Sequence, residues 1–541
     1  MVRFTSETAG DRPGSVFFRA SVAAIRLFGA LLLTGLALAW ASTPALASTS
    51  LEKCGQLRSL SVKDLEIHAA ELVRSGNLFT SPATSGGGKP QLISNVPAFC
   101  RLSATAHPTP DSSIDFEVWM PVEGWNGKFM GIGNGAWWGR ISFQEMSQNL
   151  ARGYAVASTN TGHNGDPDDA SFAVGHPERL TDFAYRGVHL MTVNAKAVIA
   201  AYYGRPARYA YWLGCSSGGR QGLKEAQLFP EDYDGIIAGA PASWWTNLLS
   251  WEVYLAKAAK VPGAAIPPGM LPRLAEAVLA RCDKTDGVVD GLIGDPRKCR
   301  FRAEELGLGC HAAAGGNCLT DQQLQLIDIA YAPMRDRNGT VLFPGLQPGS
   351  ELYWGILLGE HSFQTPENYF KSVIFKNEQW DFRTFDVDRD LQAAISIDRA
   401  GPSINAINPD LSKFNARGGK IIQYMGWSDQ YIAPESSIEY FDTVNKTMGN
   451  TASFYKLFMI PGMSHCFGGC VPDQFDKVAA IENWVERGLP PSGIVVAQTN
   501  EDLPYSHTVV RTRPLCAYPL RAKYSGSGSI DEASSFACAA D

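Results

Sequence analysis

The stretch RYAYWLGCSSGGRQG, residues 208–222, passes from one kind of local order to another within a few residues. Its aromatic and aliphatic first half reads as a buried strand. Leu223 and Ala226, three apart, begin the spacing of a helix face. Between them lies Gly214-Cys215-Ser216-Ser217-Gly218, the pattern G-x-S-x-G, whose glycines permit a sharp turn without side chains crowding the bend. A strand–turn–helix of this kind projects the central Ser216 hydroxyl above the edge of a sheet.

Working outward, residues 114–122, 127–135, 153–162 and 233–242 read as further short strands, the second running into a glycine loop. Residues 181–202 carry apolar positions at helical spacing and stop before Gly204, a C-terminal glycine signal. Strands separated by helices imply an α/β protein with a mostly parallel sheet covered on both faces. The alternation breaks after residue 243. Residues 244–404 are rich in Trp, Tyr, Gly, Pro and Asn, lack a regular βα repeat and read as an insertion. Order returns with strands in 418–429 and 453–466, followed by a helix over 473–484. The expected organisation is a leader at 1–47, a core in two parts at 48–243 and 405–541, and an inserted domain at 244–404.

The leader has Arg19 and Arg26 before an apolar run at 27–40 and ends in Ala45-Leu46-Ala47, an A-x-A cleavage pattern. A membrane anchor is the competing reading, but a span takes roughly 20 apolar residues. The expectation is export to the periplasm or beyond the cell. The composition is that of a globular protein, 45% hydrophobic and 19% charged, and the net charge of -7 argues against nucleic-acid or anionic-membrane partners. All 11 cysteines lie beyond residue 47, where an oxidising compartment permits disulfides. Zinc is the alternative, although Cys310/Cys318 and Cys466/Cys470 lack C-x-x-C spacing.

A serine becomes nucleophilic only with a base to take its proton and an acid to orient that base. With the nucleophile on such a turn, the chain order is Ser, then acid, then His. Asp429 and His465 follow late strands in that order, which puts both at the carboxyl edge of the sheet. His163, His176 and His361 fall in polar loops, His189 in a helix, and His507 far from the expected slot; Asp473 suits a helix cap. Oxyanion donors are expected from the N–H of Ser217 and from the loop Gly133-Asn134-Gly135, with Gly135 first choice and Gly133 second. Cys215 precedes the serine and Cys466 follows the histidine, so they form a disulfide or remain two buried thiols.

In the insertion, Asp283, Asp286 and Asp290 crowd a glycine-containing loop. Either solvent or a hard cation relieves their repulsion. Calcium would take those three carboxylates, with the carbonyls of Val288 and Leu292 as further ligands.

Taken together, GNGAWWG (133–139), DFAYRGVH (182–189), GCSSGGRQG (214–222), FPEDYDGIIAGAPA (229–242), CDKTDGVVDGLI (282–293), GGKIIQYMGWSD (418–429) and MSHC (463–466) resemble the tannase and feruloyl esterase family. That family also contains a mono(2-hydroxyethyl) terephthalate hydrolase. The resemblance implies an α/β-hydrolase core with a large inserted lid, Ser216, Asp429 and His465 as triad, a structural calcium in the lid and no organic cofactor. It also implies the disulfides Cys54–Cys100, Cys215–Cys466, Cys282–Cys299, Cys310–Cys318 and Cys516–Cys538, leaving Cys470 over. The substrates it implies are small aromatic esters, free or attached to plant polysaccharide or polyphenol. Feruloyl esterase is the leading expectation, with gallate ester and terephthalate monoester hydrolysis as alternatives. A catalytically inactive exported phenolic- or carbohydrate-binding protein is the rival of another class, and a peptidase or acyltransferase would use the same triad. Trp354, Tyr369, Phe375 and Trp380 are candidate aromatic contacts, and Arg383, Arg389 and Arg399 are the arginines available for a distal carboxylate.

Overall fold

The computed structural model describes residues 43–80, 90–311, 317–359, 363–469, 471–499 and 508–540. The apolar leader run, His361, Cys470 and His507 lie outside these residues. Met1–Ser50 is set apart as one unit, in which the described residues open the helix Thr43–Gln56; Leu51–Asp541 form a second, compact unit. No helix among the described residues is long and apolar enough to cross a membrane.

The second unit is built on nine strands: β1 (Leu65–Val73), β2 (Phe99–Ala106), β3 (Ile114–Pro121), β4 (Lys128–Ile132), β5 (Ala155–Thr159), β6 (Tyr209–Cys215), β7 (Gly235–Gly239), β8 (Lys420–Gly426) and β9 (Tyr455–Ile460). They lie side by side in the order β1-β2-β3-β5-β4-β6-β7-β8-β9. From β5 to β9 every pairing is parallel, whereas β1, β2, β3 and β5 pair antiparallel. The sheet is therefore more mixed than the βα repeat alone implies, because the sequence signal for β1 and β2 is weak.

After Thr43–Gln56, the helices of nine or more residues are α1 (Phe143–Ala151), α2 (Gly187–Tyr203), α3 (Ser217–Leu228), α4 (Trp245–Ala259), α5 (Leu271–Cys282), α6 (Asp321–Tyr331), α7 (Val387–Ala400), α8 (Glu435–Met448) and α9 (Lys477–Arg487). One face of the sheet buries Phe129, Ala155 and Trp212 against Met191, Val198, Leu223 and Phe441 of α2, α3 and α8. The other buries Met130, Val156 and Tyr211 against Met146, Leu150, Ile481 and Trp484 of α1 and α9. Burial on both faces is why the central strands read as unbroken apolar runs. This is an α/β-hydrolase core.

The helix expected over 181–202 is a composite: Pro177–Thr181 leads into a π-helical turn, Asp182–Arg186, and then α2, which ends on left-handed Gly204. Between β7 and β8 the chain inserts α4 to α7. Their core is continuous with Trp137, Phe183 and Met425 of the main body, so the insertion packs as part of one unit. All five expected disulfides are formed.

Strand order reverses at β4: β4 leads to α1 on one face of the sheet and its neighbour β6 leads to α3 on the other. The crevice at the carboxyl ends of β4 and β6 is thus a topological switch point, where open α/β sheets place their sites.

The antiparallel edge carries one costly feature. Glu117 of β3 is fully buried, and its carboxylate accepts two bonds from the Arg101 guanidinium (2.9 and 2.6 Å) and one from the Trp119 indole at 2.6 Å. Removing the cation leaves a buried charge underpaired. Arg101→Met should lose about 3–5 kcal/mol of stability in urea unfolding; a loss below about 1 kcal/mol would show that the pair is dispensable.

Candidate active site

Ser216 sits between β6 and α3 with φ 61° and ψ -123°, a backbone conformation that non-glycine residues rarely adopt. Such strain persists only where the surroundings over-determine it. Here its N–H donates to Gly239 O (3.0 Å), and its carbonyl accepts from Arg220 N (3.0 Å) and Ala242 N (3.2 Å). The glycines next to it are required by close approach. A Cβ on Gly214 would fall 2.4 Å from the Gly218 backbone, and one on Gly219 would fall 2.3 Å from Gly239 O.

Asp429 is fully buried just past the end of β8. Its Oδ1 accepts from the N–H groups of Tyr431 and Ile432, both at 2.9 Å, and its Oδ2 contacts His465 Nδ1 at 2.7 Å. That contact leaves Nε2 of the imidazole as the basic nitrogen. The histidine loop is braced from several sides: Ser428 N donates to Met463 O (3.0 Å), Ser464 N to Gly468 O (3.1 Å), and His465 N to Gln430 Oε1 (3.3 Å). Asp473 accepts from Gly468 N at 2.6 Å, while Asp476 caps α9. The capping role expected of Asp473 therefore belongs to Asp476.

The two halves meet covalently. Cys215 and Cys466 form a disulfide with their Cα atoms 5.9 Å apart, and the residues adjoining them are Ser216 and His465. The alternative of two free thiols is set aside.

The loop after β4 lies against the start of α3. Ser217 Oγ donates to Ala136 O at 2.8 Å, so elbow and loop are joined. Gly133 N donates to Leu213 O (3.0 Å) and Asn134 N to Gln221 Oε1 (3.0 Å), which removes Gly133 as an anion donor. The N–H of Gly135 has no acceptor among the described residues. Ser217, as the first residue of a helix, has none within that helix.

Three residues given no such place by the sequence shape this site. Arg220 is fully buried, donates to Ala184 O (2.9 Å) and Ile404 O (3.1 Å), and lies over the rings of Phe183 and Trp245. It ties α3 to the insertion, and burial pushes it down to about 9. Glu252 on α4 is buried, and desolvation, with the Asp429 and Asp168 charges adding, pushes its carboxyl well above the ordinary range. His163, read as a polar-loop residue, is buried against Phe172 (ring centroids 3.7 Å), with Nε2 2.7 Å from Trp137 O. It supports the 133–139 loop from behind; a lone histidine among Asn, Gly and Asp gives no sign of that burial.

Of the expected aromatic contacts, Trp354 and Tyr369 are packed in the insertion's core, and Phe375 and Trp380 pack on Phe370. The ring that meets His465 is Tyr431 (5.0 Å), itself against Phe363 (5.5 Å). Arg383 and Arg389 are surface residues paired with Asp381 and Asp390, and Arg399 is exposed. A partly open cavity of about 290 Å³ beside the acidic loop has Asp286, Asp290, Arg513, Trp427 and Phe536 among its lining residues, and none of Ser216, Asp429 or His465.

The family described as tannase and feruloyl esterase matches residues 100–539. An uncharacterized esterase of Xanthomonas campestris is 36% identical over 556 residues, covering 94% of each chain. A probable feruloyl esterase B of Aspergillus clavatus is 33% identical, covering 94% of this chain and 99% of its own. The crystal structure of feruloyl esterase B from Aspergillus oryzae superposes with a TM-score of 0.84 at 31% identity, over 91% of this chain and all of that one.

Burial pushes the His163 imidazole down from 6.5 to about 4. The unfolded chain therefore binds the extra proton between those values, and the stability His163 confers is present above about pH 6.5 and lost as pH falls towards 4. From pH 7 to pH 5 the loss should be about 2 kcal/mol. His163→Gln, which can still donate to Trp137 O, should flatten the slope of unfolding free energy over that interval; an unchanged slope would contradict this assignment.

Proposed function

This chain belongs to the tannase and feruloyl esterase family, and from that premise we propose that Ser216, His465 and Asp429 hydrolyse hydroxycinnamate-type esters through an acyl-enzyme. The observation that carries this reading is the junction at the carboxyl edge: the Asp429–His465 hydrogen bond joined through Cys215–Cys466 to the strained Ser216.

His465 Nε2 takes the Ser216 proton as the hydroxyl attacks the ester carbonyl, and Asp429 stabilises the imidazolium that forms. The N–H groups of Ser217 and Gly135 receive the developing oxyanion, a contribution of about 3 kcal/mol per donor in comparable sites. The imidazolium then protonates the departing alcohol, and water repeats the sequence on the acyl-enzyme. Tyr431 and Phe363 offer aromatic surface beside the histidine for the acyl ring. In this reading the insertion is the lid, and the ester is free or attached to plant polysaccharide or polyphenol. The five disulfides support export with removal of the leader.

The acidic loop of the insertion fits a structural calcium in its chemistry, since every donor is oxygen. Asp283 accepts from Asp290 N and Gly291 N, Asp286 from Val288 N and Gly294 N, and Asp290 from Leu292 N and Arg513. Asp283, Asp286 and Asp290, with the Val288 and Leu292 carbonyls, would hold the ion, which together with Arg513 would balance the three charges.

Ser216→Ala should lower kcat on methyl ferulate by more than about 1000-fold while leaving Tm within a few degrees. Full retention would sink the triad, and a faster rate on methyl gallate than on methyl ferulate would move the substrate to the tannase side. Chelating calcium should lower Tm reversibly, with recovery on adding calcium back. An unchanged Tm would remove the calcium reading.

A further inference from the structure

At the far end of α3 from Ser216 lies a cluster that ester hydrolysis does not use. His189 comes from α2, Glu225 from α3 and Asp232 from the turn before β7, and one ligand atom of each lies within 4.8 Å of the others. His189 Nδ1 is 2.7 Å from Asp232 Oδ2, and the imidazole stacks on Phe229 with centroids 3.7 Å apart. Asp232 and Glu225 are each 1% exposed.

Glu225 is the anomaly. Among the described residues, no N–H or hydroxyl donor of another residue reaches either of its carboxylate oxygens, although the side chain is fully enclosed, and the group that meets it is the Asp232 carboxyl. A buried carboxylate without donors costs several kcal/mol. Lys196 acts on it through its charge alone: its Nζ donates to the carbonyls of Glu231 (3.2 Å) and Asp232, and stands 3.9 Å from Asp232 Oδ1. Two carboxylates and an imidazole nitrogen therefore converge on one point, with a single ammonium at their edge.

We propose that His189, Glu225 and Asp232 form a binding site for a divalent transition metal, with Zn2+ the best match. One imidazole nitrogen and two carboxylate oxygens leave a fourth position for water, a set that suits zinc, whereas calcium takes about 6–8 oxygen ligands. The His189 side chain is 23% exposed, which gives water a route to that fourth position. The ion takes the place of the proton between Nδ1 and Oδ2, and these atoms open from 2.7 Å to about 3.3 Å to reach tetrahedral metal–ligand distances of about 2.0–2.2 Å. Glu225 gains a cationic partner. The ion pins α2, α3 and the approach to β7 together, nine positions along α3 from Ser216, or about 13 Å. It is structural and takes no part in the chemistry at the serine.

The test uses the full chain, stripped with a transition-metal chelator while calcium is kept in excess, then titrated with Zn2+ and separately with Co2+. The expected results are one Zn2+ per chain, a rise in Tm, and visible Co2+ absorption from a low-coordinate site. Glu225→Gln, a neutral isostere, and His189→Gln should each weaken uptake by more than about 100-fold, while circular dichroism shows both folded. Failure of the wild-type chain to take up stoichiometric Zn2+ overturns the site, as does undiminished uptake by both variants. None of these readouts depends on esterase activity, so they stand apart from the triad.

Discussion

Between β6 and α3 the chain reverses at a single residue, and the backbone of Ser216 is held in a conformation it would not adopt alone. Much of the architecture answers to that constraint. The Gly239 and Ala242 backbones hold it from the β7 side, the glycines let α3 close against β6, β7 and the 133–139 loop, and Arg220 locks the first turn of α3 to the insertion. The strain is useful because it presents the hydroxyl at the switch point, with a helix N-terminus directly behind it.

The partner loop is built by different means. His465 is not on a regular element; the loop carrying it is fixed by Ser428, Gln430 and Asp473, and Cys466 has a positive φ of 69°. A loop on its own is a poor platform for a base that must align within a fraction of an ångström. The Cys215–Cys466 bond removes that freedom by making the neighbours of nucleophile and base one covalent unit. It closes a separation of 251 residues that spans the whole insertion, so it also limits how far that insertion can move the two catalytic loops apart.

What the sequence disclosed and what it concealed divide along physical lines. Ser216, Asp429 and His465 were legible because each follows an apolar strand with a turn or loop signal, in the one chain order this architecture uses. The parallel strands were legible because burial on both faces leaves unbroken apolar runs. The antiparallel strands β1 and β2 were not, since β1 alternates exposed and half-buried residues with several charges. Gly135 was separated from Gly133 only by where the loop's hydrogen bonds go, which no local pattern encodes. His163, Glu252 and Glu225 are polar residues whose burial comes from distant segments packing over them, so their sequence neighbours carry no trace of it. The π-helical turn at Asp182–Arg186 was likewise hidden inside a sound helical pattern.

Ser216 and His465 are held in register through Cys215–Cys466, and the most direct test is the rate at which a serine-directed fluorophosphonate phosphonylates the protein. The comparison is between the wild-type chain and Cys215→Ser/Cys466→Ser, with the other four disulfides intact and both proteins folded at the assay temperature. If the register is set by that bond, the second-order rate should fall by about 10-fold or more. An equal rate in the two proteins would show that the loops align without it and would contradict the account.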